Sequence, residues 1–197
     1  MILTMIRHGQ TEGSLHDLYY GAADIPVLPQ SLEELHAKAA QYPKAARYFT
    51  SGLLRTEQTL AAIYGDVPHR ALAGLQEMNF GDFEMHSYEE LKDDPAFQHW
   101  MSDSEHLPCP NGESAQQTMA RNLAAMNEIL AVDEDAVCVI HGGVIAGFMM
   151  TWFGGLRVDW YRSAGSGYQV TLTDGVPTAW RRVPEDMEDG DGNFSHS

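Results

Sequence analysis

The chain has 197 residues, 44% of them hydrophobic, which suits one well-packed globular domain. Its 28 acidic and 12 basic residues give a formal net charge of −16, which argues against a nucleic-acid binder and against binding to an anionic membrane surface. Two cysteines do not make a disulfide framework, so we expect reduced thiols and a cytoplasmic location.

Strand and helix signals alternate along the first half of the chain. The apolar residues 1–5 predict a buried strand, and residues 48–50 predict a second, short one. Between them, Ser31 is a candidate N-cap for a helix that Pro43 interrupts. A further helix is predicted over residues 55–64.

The second half of the chain continues the alternation. Ser87, with Glu90 three residues later, predicts a capping box at a helix start. After it come a long helix, a fully apolar strand, a second helix and a strand pair, predicted at 114–130, 136–140, 144–152, 167–173 and 178–183. The core-facing stripe of the long helix is predicted to be Met119, Leu123, Met126 and Leu130. This alternation predicts an α/β fold, a three-layer sandwich with a mostly parallel central sheet flanked by helices.

The chain is predicted to form one domain over residues 1–183, because no linker separates two cores. Residues 184–197 are acidic and glycine-rich, and we expect them to be a disordered tail. The apolar stretch before Arg7 is too short for a signal peptide, and residues 144–153 fall far short of the roughly 20 that a bilayer requires. We therefore expect a soluble protein.

Four segments place groups suited to phosphate chemistry at predicted strand ends, helix starts or loops. Arg7 and His8 end the first strand, and Arg55 lies at the start of the helix after the second. Glu77 lies in a loop, and His141 follows the apolar strand. Ligands of open α/β sheets bind beyond the carboxyl ends of the strands, so the arginines and histidines among these side chains are predicted to share a site. Guanidinium groups suit phosphate, and an imidazole can act as a base or a nucleophile near neutral pH.

The motifs around these residues resemble those of the histidine phosphatase superfamily, the branch with cofactor-dependent phosphoglycerate mutases and small bacterial phosphatases. In the family's order they are Arg-His-Gly-x-Thr at 7–11, Ser-x-Leu-x-Arg-x-x-Gln-Thr at 51–59, Glu-x-x-x-Gly-x-x-Glu at 77–84, Pro-Asn-Gly-Glu-Ser at 110–114 and His-Gly-Gly at 141–143. The resemblance spans about residues 2–175 and implies a phosphoglycerate mutase-like fold.

The resemblance also implies a role for each residue. His8 is expected to be the nucleophile that becomes phosphohistidine, with Arg7, Arg55 and His141 around the phosphoryl group. Glu77 is expected to protonate the leaving oxygen and then to activate water, although Asp82 and Glu84 could compete for that role. Further phosphate contacts are expected from Gln10, Thr11, Gly142 and Ser14, which stands where the family commonly has asparagine.

These roles set physical requirements. His8 must expose a neutral nitrogen, so its other nitrogen should donate to a backbone carbonyl or a similar acceptor. Two guanidiniums and a protonated or donating imidazole at His141 can stabilise the transferred group without a metal ion. We predict no metal and no cofactor, and the remaining histidines show no metal-ligand spacing.

The leading functional hypothesis is a metal-independent phosphatase that acts on a small phosphorylated metabolite, as a monomer or homodimer. A phosphoglycerate mutase is the alternative, disfavoured because the family's mutases are expected to be longer. A catalytically silent binding module is a third, disfavoured because all five catalytic residues are present. Substrate specificity is expected to come from residues 88–110 and from the first loop. The aromatic residues that could hold the leaving group are Tyr19, Tyr20, Phe83, Tyr88, Phe97 and Trp100.

Overall fold

The computed structural model describes residues 1–184, so the predicted tail lies, apart from Pro184, outside the described residues. The strands are β1 (Ile2–Arg7), β2 (Leu18–Tyr19), β3 (Arg47–Thr50), β4 (Arg70–Ala71), β5 (His86–Ser87), β6 (Ala136–Ile140), β7 (Gly167–Thr173) and β8 (Val176–Val183). The α-helices are α1 (Glu12–Leu15), α2 (Pro29–Ala37), α3 (Leu54–Tyr64), α4 (Tyr88–Leu91), α5 (Pro95–Ser102), α6 (Ala115–Leu130) and α7 (Gly142–Phe153). Short 3-10 turns cover Ala39–Gln41, Ala73–Leu75, Gly81–Phe83 and Arg157–Trp160.

The central sheet has six strands in the order β4-β3-β6-β1-β7-β8. The neighbours β4, β3, β6 and β1 run parallel, and β7 pairs antiparallel with both β1 and β8. The predicted mostly parallel sheet is therefore confirmed. The separate pair of β2 and β5 was not predicted, because two residues per strand are too few to show a periodic pattern.

Helices cover both faces of the sheet, which confirms the three-layer sandwich. On one face, α6 and α7 pack against strand residues such as Met5 and Ile140. On the other face, α2 and α3 pack against Ile6 and Val139. Neighbouring strand residues point to opposite faces, so each layer receives alternate apolar side chains. Burial of one such side chain is worth about 1.5–3 kcal/mol.

Capping residues set most of the helix starts. Ser87 and Glu90 form the predicted capping box, and Ser114 caps α6. The prediction for Ser31 is wrong: α2 begins at Pro29, whose fixed φ suits the first helical turn. The Ser31 hydroxyl instead accepts a hydrogen bond from the Gln10 backbone N–H at 2.9 Å. Within residues 1–184, every helix is too short or too polar to cross a bilayer.

Candidate active site

Three neighbouring parallel strands bring the predicted site residues together. In the sheet, β6 lies between β3 and β1, so their carboxyl ends meet at one edge. Arg7 ends β1, Ser51 follows β3 and His141 follows β6. The His8 backbone N–H donates to the Ile140 carbonyl at 2.9 Å, which joins the end of β1 to the end of β6.

His8 is held as a neutral imidazole with one ring nitrogen uncommitted. Its side chain is buried, and Nδ1 lies 2.7 Å from the Gly9 carbonyl oxygen. A carbonyl only accepts hydrogen bonds, so Nδ1 carries the proton and Nε2 carries the lone pair. Burial lowers the pKa of His8 well below its usual value, and the charges of Arg55 and Arg7 lower it further. The Gly9 carbonyl is thus the backbone acceptor that the role of His8 as a nucleophile requires.

His141 lies beside His8, with 5.3 Å between the ring centroids. Its Nδ1 accepts from Arg55 Nε at 3.3 Å, so its proton is on Nε2, which donates to Ser51 Oγ at 2.8 Å. Burial lowers the pKa of His141 well below its usual value, and the charge of Arg55 is the next cause. The ring is therefore neutral, and its one donor is directed to Ser51, a partner that the sequence analysis missed.

Arg55 is completely buried in the first turn of α3. Its Nη1 and Nη2 donate to the carbonyls of Ala23 and Gly21, each at 2.7 Å. Its guanidinium also lies over the Tyr20 ring, 5.2 Å from the centroid. With Nε bonded to His141, three donors are used, and a guanidinium has about five N–H groups, so donors remain for a phosphoryl oxygen. Burial lowers the pKa of Arg55, while nearby acidic groups including Glu77 raise it.

Arg7 and Glu77 lie against adjacent residues at the start of α7. The Gly143 backbone N–H donates to Glu77 Oε2 at 2.8 Å, and a Cβ on Gly143 would lie 2.6 Å from Oε1. A Cβ on Gly142 would lie 3.2 Å from Arg7 Nε. That Nε is buried without a hydrogen-bond partner in the described part of the chain, whereas Nη1 donates to the Arg162 carbonyl at 2.6 Å. A helix start with its backbone N–H groups favours a bound anion at this point.

The other predicted phosphate ligands lie near His8 but have roles of their own. Thr11 is buried and caps α1, accepting from the Ser14 backbone N–H at 3.2 Å. The Ser14 hydroxyl donates to the Thr11 carbonyl at 3.0 Å and accepts from the Thr11 N–H at 2.9 Å. Gln10 is exposed. Phosphate contact by these three residues and by the Gly142 N–H stays a prediction.

Of the three carboxylates considered for the acid, only Glu77 lies at the start of α7. Asp82 is exposed and accepts from the Asn111 side chain at 3.0 Å. Glu84 accepts only backbone N–H groups, those of residues 21–23 and 80. Glu77 is therefore the carboxylate that contacts the start of α7, at the residue next to the one that Arg7 lies against.

A second network, which the sequence analysis missed, holds the Glu77 segment. Arg121 of α6 donates to the backbone carbonyls of Gln76 and Glu77 at 2.7 and 3.0 Å. It also pairs with Glu113 at 2.7 Å. Glu113 in turn accepts from the Asn79 N–H at 2.9 Å, so the pair fixes the backbone on both sides of Met78. Side-chain hydrogen bonds to carbonyls leave no local sequence pattern, which is why this network was not predicted.

Most of the aromatic candidates for specificity belong to a small core that contains none of the five predicted catalytic residues. It includes Tyr19, Phe83, Phe97 and Trp100, packed edge to face or tilted with ring centroids 5.2 to 6.0 Å apart. Tyr20 is different, because its ring lies 6.1 Å from that of His8. Within residues 1–184, no group of three or more His, Cys, Asp or Glu side chains is arranged to hold a metal ion.

Comparison with known proteins agrees with the motifs. Residues 3–181 match the family model of the histidine phosphatase superfamily (branch 1). The chain belongs to this superfamily. It is 30% identical over 155 residues to an adenosylcobalamin/alpha-ribazole phosphatase of Salmonella typhimurium, covering 74% of this chain and 76% of the relative. The crystal structure of the alpha-ribazole phosphatase from Shigella flexneri has the same fold, with a TM-score of 0.80, 24% identity and coverage of 90% of this chain and 94% of that one.

A mutase relative corrects one expectation. A 2,3-bisphosphoglycerate-dependent phosphoglycerate mutase of Methylobacterium is 31% identical over 200 residues, covering 91% of this chain and 90% of the mutase. That mutase is thus close to this chain in length. The expectation that mutases of the family are distinguished by greater length is wrong for this relative.

Proposed function

We propose that this histidine phosphatase hydrolyses a small phosphomonoester through a phosphohistidine at His8, without a metal ion. The observation that carries the proposal is the neutral His8 ring beside Arg55 and His141, with Nδ1 bonded to a backbone carbonyl and its lone pair on Nε2. An imidazole without a proton on Nε2 can attack phosphorus directly. The two arginines supply the positive charge that the equatorial phosphoryl oxygens need.

The reaction takes two steps at the same phosphorus atom. In the first, His8 Nε2 forms a bond to phosphorus, the bond to the leaving oxygen breaks, and Glu77 gives that oxygen its proton. In the second, Glu77 takes a proton from water, the water oxygen bonds to phosphorus, and the P–N bond breaks. Inorganic phosphate leaves, and Glu77 and His8 return to their starting states. Arg7 and Arg55 hold the phosphoryl group throughout, and His141 joins them when its Nε2–H turns from Ser51 Oγ to a phosphoryl oxygen.

The charge of the segment after the Glu77 loop favours hydrolysis over the mutase reaction. A bisphosphoglycerate carries two phosphates and a carboxylate, so a mutase needs further cations beside the transferred group. Residues 88–113 contain one cation, Lys92, against seven acidic side chains. Lys92 is already paired with Glu89 at 2.6 Å. A substrate with one phosphate fits this surrounding better, and the relatives named as phosphatases support a small phosphorylated metabolite.

The deciding experiment combines an assay with trapping of the intermediate. The purified protein is given p-nitrophenyl phosphate and, separately, 3-phosphoglycerate with 2,3-bisphosphoglycerate. We expect phosphate release from the first and an acid-labile phosphoenzyme in a rapid quench. Isomerisation of 3-phosphoglycerate without phosphate release would favour the mutase instead.

Two variants test the nucleophile. His8→Ala should give neither turnover nor phosphoenzyme, whereas His99→Ala, which removes an exposed imidazole on α5, should behave as wild type. Equal turnover in His8→Ala would refute the assignment. A wild-type protein that binds phosphate but never becomes phosphorylated would be the silent binding module.

The proposed location is the cytoplasm. Cys109 and Cys138 are free and buried, and burial raises the pKa of each thiol to about 12. Both thiols therefore stay protonated and unreactive, as suits a protein of a reducing compartment.

A further inference from the structure

We propose that Glu84 is a positioning residue that sets the orientation of Arg55 through the backbone of residues 21–23. The inference rests on the proposed phosphatase function, because Arg55 is there assigned to the phosphoryl group. Among the described residues, Glu84 forms no hydrogen bond with the five catalytic side chains, although its charge is one of those that raise the pKa of Arg55. It acts on the turn that holds one of them.

The Glu84 carboxylate is surrounded by backbone donors from this turn. It accepts from the N–H groups of Gly21, Ala22 and Ala23 at 3.0, 3.0 and 3.1 Å. The Phe80 N–H adds a fourth donor at 2.9 Å. Hydrogen bonds to an ionised carboxylate are roughly twice as strong as neutral ones, so the three from residues 21–23 fix the turn firmly.

The same turn presents its carbonyls to Arg55. The carbonyls of Gly21 and Ala23 accept from Nη2 and Nη1, so both ends of the guanidinium are held by residues whose N–H groups bind Glu84. The Gly21 carbonyl shares one planar peptide group with the Ala22 N–H, so the Glu84 contact to that N–H limits where the carbonyl can point. The Ala23 carbonyl belongs to the peptide that follows the held Ala23 N–H. Glu84 thereby controls the plane of the guanidinium without touching it.

The turn has little room to move once Glu84 is in place. A Cβ on Gly21 would lie 1.6 Å from the Met78 carbonyl oxygen, so the turn lies directly on the backbone next to Glu77. At its other end, the Asp24 carboxylate accepts from the Leu54 N–H at 2.6 Å, one residue before Arg55. Glu84 connects the turn to the Glu77 loop, because it accepts from the Phe80 N–H as well as from the N–H groups of residues 21–23.

The test is a double-mutant cycle on kcat/KM for p-nitrophenyl phosphate, with Glu84→Gln and Arg55→Ala. The amide of Glu84→Gln keeps the shape but points an NH₂ donor at N–H groups, so the turn loses acceptors. We expect Glu84→Gln to lower kcat/KM by about 10- to 100-fold, since a displacement of 1 Å can cost ~10²-fold. In the Arg55→Ala background, the same change should cost less than about 3-fold. Equal losses in both backgrounds would overturn the inference, because they would show a general effect on folding.

Asp82→Asn is the matched control. It removes the same charge from the 3-10 turn that Glu84 directly follows, but this exposed carboxylate bonds to the Asn111 side chain and forms no hydrogen bond with residues 21–23. We expect wild-type kcat/KM; a loss equal to that of Glu84→Gln would assign the effect to net charge and refute the inference. If Glu84→Gln does not fold, Glu84→Asp, which keeps the carboxylate on a shorter stem, takes its place in the cycle.

The experiment also separates this inference from the proposed function. If wild type hydrolyses no phosphomonoester, the proposed function fails. The cycle is then run on the dissociation constant of inorganic phosphate, measured by calorimetry. Non-additive losses of affinity would support positioning by Glu84, and additive losses would refute it.

Discussion

The cationic half and the acidic half of the site are held in opposite ways. Arg55 is fully buried, and its guanidinium is bonded to the carbonyls of Gly21 and Ala23 and to His141. Glu77 is half-buried, and its carboxylate accepts from the N–H groups of Gly143 and Met78 at 2.8 and 3.1 Å. In the Glu77 segment it is mainly the backbone that is fixed, by Arg121.

This difference matches what each half has to do in the proposed reaction. A group that stabilises charge on a phosphoryl oxygen acts best from one fixed position, because it then needs no reorganisation during the reaction. A proton donor must serve the leaving oxygen first and water second. A half-buried carboxylate on a fixed backbone is accessible to both the leaving oxygen and water.

Loss of the Arg55 guanidinium should damage turnover of every substrate. We expect Arg55→Ala to lower kcat/KM by about 10³-fold, the upper range for removal of one preorganised charge-stabilising donor. The loss should be similar for p-nitrophenyl phosphate, a good leaving group, and β-glycerophosphate, a poor one. Arg55→Lys should not restore activity, because an ammonium cannot replace the planar fork that bonds two carbonyls and His141. Recovery to within about 3-fold by lysine would show that only charge matters.

Loss of the Glu77 carboxylate should instead depend on the leaving group. Glu77→Gln cannot give a proton to the leaving oxygen, so we expect about a 10²-fold loss with β-glycerophosphate, within the usual range for general acid catalysis. The loss of kcat/KM with p-nitrophenyl phosphate, which reports the first step and not the hydrolysis of phosphohistidine, should be under about 10-fold, because this leaving group needs little protonation. Steady-state assays with both substrates measure the ratio, and equal losses would remove the general-acid role.

The buried histidines should make the free enzyme less stable in acid. Their pKa values are lowered in the folded state, so below about pH 6.5 the unfolded chain binds protons that folded His8 and His141 do not. Their contribution to the free energy of unfolding is complete above that pH. It is lost as the pH falls, by up to about 1.4 kcal/mol per pH unit for each histidine. Urea unfolding at pH 7.5 and 5.5 measures the loss.

His141→Gln is the control for this pH effect. The amide can accept from Arg55 and donate to Ser51 but does not titrate, so its stability should change less between the two pH values. Comparing this variant with wild type cancels the other titrating groups, including His69 and His106, whose pKa values are raised by hydrogen bonds to carbonyl or carboxylate oxygens. An identical pH dependence in both proteins would contradict the neutral state assigned to His141.

Adding one methyl group at either of two adjacent glycines should distinguish the cationic half of the site from the acidic half. An added methyl group in Gly143→Ala would push the Glu77 carboxylate, whereas one in Gly142→Ala would approach Arg7 Nε. We expect roughly 10-fold losses, below the ~10²-fold that a 1 Å displacement can cost. Gly143→Ala should affect mainly β-glycerophosphate, and Gly142→Ala both substrates equally. The same leaving-group dependence in both variants would contradict the division.

The outline of the site was predictable because the fold follows from local patterns. The apolar runs that become β1 and β6, and the short run that becomes β3, are each followed by a site residue, and parallel strands bring those ends together. Arg7, His8 and His141 could therefore be placed at one edge before any coordinates were known. Glu77 depended on the family motif alone, because a loop has no periodicity.

The supporting contacts were not predictable, and α6 shows why. Of the stripe expected from its apolar residues, Met126 is buried, Leu123 and Leu130 pack partly buried against the core, and Met119 lies against Gly147. The other buried residues of this helix, Thr118, Asn122, Ala125 and Ile129, were not predicted. Its first half buries polar side chains because Asn122 donates to the carbonyls of Gly74 and Gln76, at 2.8 and 3.2 Å. Such pairing depends on where a distant loop lies, and sequence periodicity carries no information on that.

The segment between Glu77 and Glu84 is anchored at both ends, and its middle lies against a third loop. A Cβ on Gly81 would lie 2.0 Å from the Pro110 carbonyl oxygen. The backbone between the two carboxylates is therefore tightly packed and has no room to shift. A single inserted or deleted residue here would shift the register of one end against the other, whatever its chemical type. The hairpin at Asp174–Gly175 joins β7 to β8 and carries none of the site contacts, so it is the place where extra residues or a fused reporter should be accommodated.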